Sequence, residues 1–215
     1  HDQERKKMNV IRYETKAESL VLDCLQLFGT VPYDMMERYL KYRIPNPKFY
    51  PKITLTELVQ DKVIYYDSKD KCYRCIQNYP KDIDRIASFA VFLAFSKSQE
   101  VKLAKSKYPF DFIFEENKIA YQIIDFSRAG LYKLNFRRQM DMGLLNNDEY
   151  KIVPIIQLLN TGCDVLKEYD EKGRLFLLPE EDFYIAYVTY IPKVGDLDEI
   201  TVEKVRYKGG TLDEY

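Results

Sequence analysis

The chain has 215 residues, and its 33 Lys and Arg nearly balance its 34 Asp and Glu, which gives a formal net charge of −1 at pH 7. Hydrophobic residues make up 46% and charged residues 31%. This composition suits a packed core of one large or two small domains, and no apolar run approaches the roughly 18 residues of a membrane span.

The charge is unevenly distributed along the chain. Basic residues outnumber acidic ones by three in residues 1–80 and again in 81–145, whereas acidic residues are in excess by seven in 146–215. This polarity fits a partner that carries phosphates on one side of the molecule, and it fits a solvated acidic face equally well.

The first residues and the cysteines bear on compartment and metals. The polar start HDQERKKMNVIR predicts no signal peptide, so the expected location is the cytoplasm, with reduced thiols. Cys72 and Cys75 form a C-x-x-C pattern, but only Cys24, Cys163 and His1 remain as further soft ligands. Because strand residues three apart point to opposite faces, the pattern predicts ordinary strand cysteines and no metal site.

The first third predicts three short helices and a hairpin. Gly29 ends the first helix, and Thr30 is the expected N-cap of the second, with Pro32 in its first turn. The third helix follows a proline-rich loop, and the polar turn DSKDK joins two short strands. The expected ranges are 16–28 and 51–61 for the first and third helices, and 63–66 and 72–76 for the strands.

This order resembles the winged-helix family, and the predicted domain covers residues 10–79. In that family the third helix enters the major groove and the hairpin lies along the phosphate backbone. Lysine and arginine displace counterions from phosphates, and short polar side chains reach base edges. The alternative is a winged helix that contacts protein. The residues that the resemblance assigns to DNA binding are Lys48, Lys52, Thr54 and Thr56 on the third helix, with Lys69, Lys71 and Arg74 on the wing.

The second part is organised around the stretch SKYPFDFIFEENKIAYQIIDFSR, residues 106–128. Residues 110–115 alternate apolar and polar, and 119–126 are almost continuously apolar, as in a strand buried on both faces. Polar residues in such a hairpin need a reason, and here they are Asp111, Gln122 and Asp125.

The other elements of the second part make it α/β, or α+β with the first. Pro154 predicts an edge strand or a bulge. The expected helices are 80–95, 130–145 and 164–169, and the expected strands are 100–104, 150–159, 175–178, 183–191 and 200–207.

Residues 80–215 resemble the PD-(D/E)XK nuclease fold, a mixed sheet flanked by helices. In that family an Asp on one strand and an acid-x-Lys on the next hold Mg²⁺ and orient a water. Asp111 matches the first acid, whereas Gln122 and Ile124 stand at the second acid and the lysine. Shifting the register to Asp125 supplies a carboxylate but puts Ser127 at the lysine position. The resemblance therefore implies a degenerate catalytic set, Asp111, Gln122 and Asp125, with no metal ligand assigned.

Together the two parts resemble the replication-relaxation proteins of plasmids and conjugative elements. This implies a non-catalytic protein that binds double-stranded DNA in bacterial replication, mobilisation or its regulation, without a cofactor and without a membrane partner. A protein partner or a homodimer stays open. The alternatives are a Mg²⁺-dependent endonuclease, the only case that needs a cofactor, and a protein-interaction scaffold.

Overall fold

The computed structural model describes residues 15–105, 111–125, 151–160, 183–208 and 211–212. Its first part has three helices and a small antiparallel sheet in the order β1-β3-β2, with β3 between the other two strands. The elements are α1 Lys16–Phe28, β1 Thr30–Pro32, α2 Tyr33–Arg43, α3 Pro51–Gln60, β2 Tyr65–Asp67 and β3 Cys72–Arg74.

The second part is one helix on a mixed sheet. The sheet order is β10-β9-β8-β7-β6-β5-β4; β6, β7 and β8 are mutually parallel and the other neighbours are antiparallel. The elements are α4 Ile83–Phe95, β4 Lys102–Lys105, β5 Phe112–Glu116, β6 Ile119–Asp125, β7 Lys151–Leu159, β8 Phe183–Ile191, β9 Glu199–Lys208 and the two-residue β10 Thr211–Leu212.

The mixed α+β content predicted from the sequence is confirmed. The expected helices 130–145 and 164–169 and the strand 175–178 lie outside the described residues. Within the described ranges, no helix is both long and apolar enough to cross a membrane.

Local sequence signals explain where α1 begins and ends. Thr15 and Glu18 form a reciprocal capping box, which satisfies backbone N–H groups that the first turn leaves open. Gly29 has φ +72° and donates its N–H to the carbonyl of Leu25 at 2.8 Å. The glycine stop predicted from the sequence is therefore present.

Two local expectations are wrong. Thr30 does not cap α2: it lies in β1, fully buried, and its hydroxyl donates to the Pro80 carbonyl at 3.1 Å, while Pro32 takes the cap position. Pro154 is not on an edge strand, because β7 lies between β6 and β8. The pairing of β7 with β8 begins only at Ile155, so a missing N–H one residue earlier interrupts no ladder on that side.

A single hydrophobic core runs through both parts. The ring of Phe28, at the end of α1, lies 4.6 Å from Phe112 of β5 and 4.9 Å from Phe89 of α4. Phe89 is fully buried and also contacts Tyr39 of α2. Helix α4 is therefore packed between the first three helices and the sheet, and the core is continuous across the predicted boundary at residues 79 and 80.

Polar contacts join the β8–β9 loop to the first part. The Asp198 carboxylate accepts from the Lys81 ammonium and the Tyr190 hydroxyl, and its other oxygen accepts from the Lys193 N–H at 3.1 Å. Burial alone would raise the pKa of Asp198, but the hydrogen bonds from Lys81 and Tyr190 outweigh it, so the pKa lies below its ordinary value.

We expect Asp198→Asn to remove part of the acid sensitivity of the fold. A carboxyl whose pKa is depressed by folding stabilises the folded state above its unfolded pKa, and this stability is lost as the pH falls through the folded value. The variant should be less stable by about 2 kcal/mol at pH 7 and match the wild type near pH 2. Urea unfolding between pH 2 and pH 7 measures this; a constant difference across that range would contradict it.

Candidate nucleic-acid interface

Helix α3 exposes one face to solvent. Pro51 begins the helix with its fixed φ, and Leu55 and Leu58 are buried against α1 and α2. On the opposite side, the Lys52 side chain is 76% exposed and lies 3.9 Å from Glu37, too far and too solvated for a strong ion pair. The remaining predicted positions are Thr56, exposed on this helix, Thr54, half-buried, and Lys48, exposed in the preceding loop.

The tip of the β2–β3 hairpin carries the exposed Lys69. The Asp67 carboxylate accepts from the N–H groups of Lys69 and Asp70 at 2.9 and 3.1 Å, which shapes the turn. The Asp70 N–H is the main reason that the pKa of Asp67 lies below its ordinary value. Lys71 follows at φ +51°, a left-handed conformation that closes the turn.

The second wing lysine is engaged within the protein. The Lys71 ammonium donates to the Gly195 carbonyl at 3.0 Å and lies 3.7 Å from the Asp196 carboxylate. Its side chain is 28% exposed, so it reaches solvent only in part. Of the two predicted wing lysines, Lys69 is therefore the more accessible.

The structure places Arg74 away from the solvent, contrary to its expected role in binding. The side chain is 9% exposed, pairs with the Asp67 carboxylate at 2.7 Å, and also contacts Asp70 and the Tyr79 carbonyl. A guanidinium with two carboxylates and a carbonyl is already satisfied and cannot reach a phosphate. Arg74 holds the base of the hairpin.

We expect Arg74→Met to destabilise the protein by about 2 kcal/mol, because Asp67 and Asp70 lose the cation between them; both are partly exposed, which reduces the cost below that of a fully buried pair. Lys69→Met on the same hairpin is the matched control and should change stability by less than about 0.5 kcal/mol. Urea denaturation compares the two. An Arg74→Met variant as stable as the wild type, with weaker DNA binding, would return Arg74 to the binding surface.

The polar residues of the organising hairpin divide between the two faces of the sheet. Asp111 accepts the Asp125 N–H on its Oδ2 at 2.8 Å and donates its own N–H to the Ile123 carbonyl. It thus closes the open end of the hairpin, as a strand-start residue would. Gln122 and Asp125 are three residues apart on one strand, so their side chains point to opposite faces.

Sequence reasoning missed one polar residue, Gln157. It is fully buried in β7, beside Asp125 in the parallel register, and its Nε2 donates to the Asp84 carbonyl of α4 at 3.3 Å. A glutamine in the apolar run YKIVPIIQLL was a visible signal. Its partner, 73 residues away, was not.

The described residues do not fit the Mg²⁺ site of a nuclease. Only Asp111 and Asp125 of the predicted set carry carboxylates, Asp111 already accepts a backbone N–H, and Gln122 lies on the other face from Asp125. In the part of the chain described, no three His, Cys, Asp or Glu side chains group to hold a metal ion. Because a hard cation requires several converging oxygens, no reaction step is derived through a metal.

No protein-family model, curated protein or solved structure matches this chain, so its function is inferred from the residues and contacts described above.

Proposed function

We propose that residues 10–79 form a winged helix that binds double-stranded DNA, and that residues 80–215 form a non-catalytic PD-(D/E)XK-like scaffold. The order of the two parts further suggests a role in replication, mobilisation or its regulation in a bacterial plasmid or mobile element. Helix α3 would lie in the major groove, with the β2–β3 hairpin along the phosphates.

The observation that carries the proposal is the topology of the first part. A short strand lies between the first two helices and pairs with the second hairpin strand, which gives the sheet order β1-β3-β2. The same arrangement leaves the outer side of α3 and the hairpin tip exposed, and both carry cations, Lys52 and Lys69. An exposed helix flanked by a basic hairpin is suited to a groove lined with phosphates.

The chemistry of this surface suits phosphate contact with modest sequence reading. Ammonium groups that neutralise phosphates release condensed counterions, which supplies affinity independent of sequence. The exposed hydroxyl of Thr56 lies on the same helix and can reach a base edge. With few exposed cations, we expect weak to moderate affinity that depends strongly on salt.

The scaffold role rests on the hairpin of β5 and β6. Asp111 serves the backbone of Asp125, and Ile124, at the position of the catalytic lysine, is fully buried. An alkyl side chain there cannot stabilise charge on a phosphate in a transition state. The hairpin instead contributes packing: Phe112 and Phe114 enter the shared core.

A protein partner on α3 is the second candidate, favoured by exposed apolar side chains. Ile53 is 58% exposed and Tyr50, just before the helix, is 63% exposed. Neither is needed for phosphate contact, and aromatic and aliphatic groups commonly anchor protein interfaces. If this candidate holds, Ile53→Asp should abolish the interaction, whereas neutralising Lys52 should not.

The test is a double variant, Lys52→Met with Lys69→Met, titrated with a fluorescently labelled duplex. We expect affinity roughly tenfold below the wild type at low salt, because two phosphate contacts are lost. Lys102→Met, on the exposed edge strand β4, is the matched control and should bind normally. Equal affinity in the wild type and the double variant would remove α3 and the wing from the interface.

A further inference from the structure

A cleft of about 390 Å³ opens at the end of the sheet away from Asp125, and the DNA-binding proposal does not use it. It lies between the C-terminal end of α4, the β5–β6 turn and strands β8 and β9. The side chains that matter for its chemistry are Phe95, Lys97, Glu116, Tyr121, Tyr184 and Lys204. Its volume lies at the small end of the range of about 300–1,000 Å³ for small-molecule sites.

Aromatic rings form one wall of the cleft. The centroid of Phe95 lies 5.2 Å from Tyr184, edge to face, and 6.3 Å from Tyr121. Tyr121 is stacked on the buried Phe114 at 4.8 Å, which fixes its plane. Both tyrosines are only half-buried, so part of each ring stays accessible from the cleft. Rings held in place by packing suit stacking against a flat ligand.

Two ammonium groups stand beside this wall. Lys204 donates to the Ala94 carbonyl at 3.0 Å and lies 5.2 Å from the centroid of Phe95, which holds its charge at the cleft. That contact uses one of its three donors. Lys97 is exposed, and it forms no ion pair with any other residue of the described ranges.

The carboxylate in the wall does not cancel these cations. Glu116 is 7% exposed, and both of its oxygens lie 3.0 Å from the N–H of Lys97, so it terminates the chain segment after α4. Burial, Tyr184 and Glu116 together raise the pKa of Tyr121, so its hydroxyl remains a neutral hydrogen-bond donor at pH 7. The accessible chemistry is thus aromatic, cationic and hydrogen-bonding.

We propose that this cleft binds a nucleotide, with the base against Tyr121 and Tyr184 and the phosphate at Lys204 and Lys97. A purely apolar ligand would leave two ammonium groups unused, and a plain anion would leave the rings unused. A base joined to a phosphate matches both, as in proteins that bind single strands by stacking and charge. The nucleotide is either free or the 5′ end of a single strand.

The test is isothermal titration calorimetry of the full chain with matched ligands. Thymidine and adenosine 5′-monophosphates should bind at least roughly tenfold more tightly than the two nucleosides and than ribose 5-phosphate. The 5′-phosphorylated pentathymidylate distinguishes the sources: tighter binding than the monophosphate indicates a strand end, and equal binding indicates a free nucleotide. Equal affinity for ribose 5-phosphate, or no binding by any ligand, overturns the proposal.

Paired variants locate the binding to this cleft. Tyr184→Phe and Lys204→Arg keep the ring and the charge and should bind as the wild type does, whereas Tyr184→Leu and Lys204→Met should each bind at least roughly tenfold more weakly. Far-UV circular dichroism checks that each variant is folded. Nucleotide binding that survives both Tyr184→Leu and Lys204→Met would place the ligand elsewhere and overturn the assignment. Lys52→Met with Lys69→Met should leave nucleotide binding unchanged, so this site and the duplex interface fail independently.

Discussion

Replacing Phe89 with alanine should lower the free energy of unfolding by about 3–5 kcal/mol, the largest effect expected of a single substitution in this chain. The ring is fully buried and lies 4.9 Å from Phe28, 5.7 Å from Tyr39 and 5.9 Å from Phe92. Its removal leaves a cavity bordered by α1, α2 and α4, which cannot all move inward together.

Because Phe89 touches both parts of the core, its loss should loosen both. Hydrogen exchange measured by mass spectrometry should show α1 and β6 losing protection together. Ile53→Ala is the control: this side chain is 58% exposed and should change stability by less than about 0.5 kcal/mol. If exchange increased only in α1–α3, the two parts would be independent units and the shared core would not couple them.

Gly29→Ala should cost about 2–3 kcal/mol, the second largest effect expected. A left-handed φ of +72° costs an alanine about 1–2 kcal/mol. Its Cβ would also lie 2.2 Å from the Tyr79 ring, which would have to leave its place and lose the hydrogen bond from Arg85, worth about 1 kcal/mol.

Gly195 provides the matched control for this substitution. It has φ +76°, but a Cβ there meets nothing within 4 Å. Gly195→Ala should therefore show the backbone cost alone, and thermal unfolding of both variants gives the contribution of the contact with Tyr79. If the two variants were equally destabilised, crowding by Tyr79 would contribute nothing.

The elements that the sequence predicts well are those with strong local signals. Helix α1 has a regular apolar stripe and ends at Gly29, and strand β8 matches its predicted range, 183–191. Strand β1 was missed because its three residues, Thr-Val-Pro, also read as a helix cap, and its pairing with β3 joins residues about forty positions apart. Local propensity carries no information about such a partner.

The candidate site was predictable as a set of residue types but not as a set of roles. Lys52 and Lys69 are exposed, as a phosphate contact requires, whereas Arg74 is consumed by Asp67 and Asp70. Both acids stand in the same short turn, so the conflict was visible in the sequence, but its outcome depends on which way the Arg74 side chain points. That direction is fixed by the pairing of β3 with both of its neighbours.

The most direct test of the DNA-binding proposal is the salt dependence of duplex binding by the wild type and by the double variant Lys52→Met with Lys69→Met. The logarithm of the binding constant should fall linearly with the logarithm of the salt concentration, and the double variant should have a slope smaller in magnitude by about 1.8, the equivalent of two lost phosphate contacts. A wild-type binding constant indifferent to salt, or identical slopes for the two proteins, would contradict the proposal.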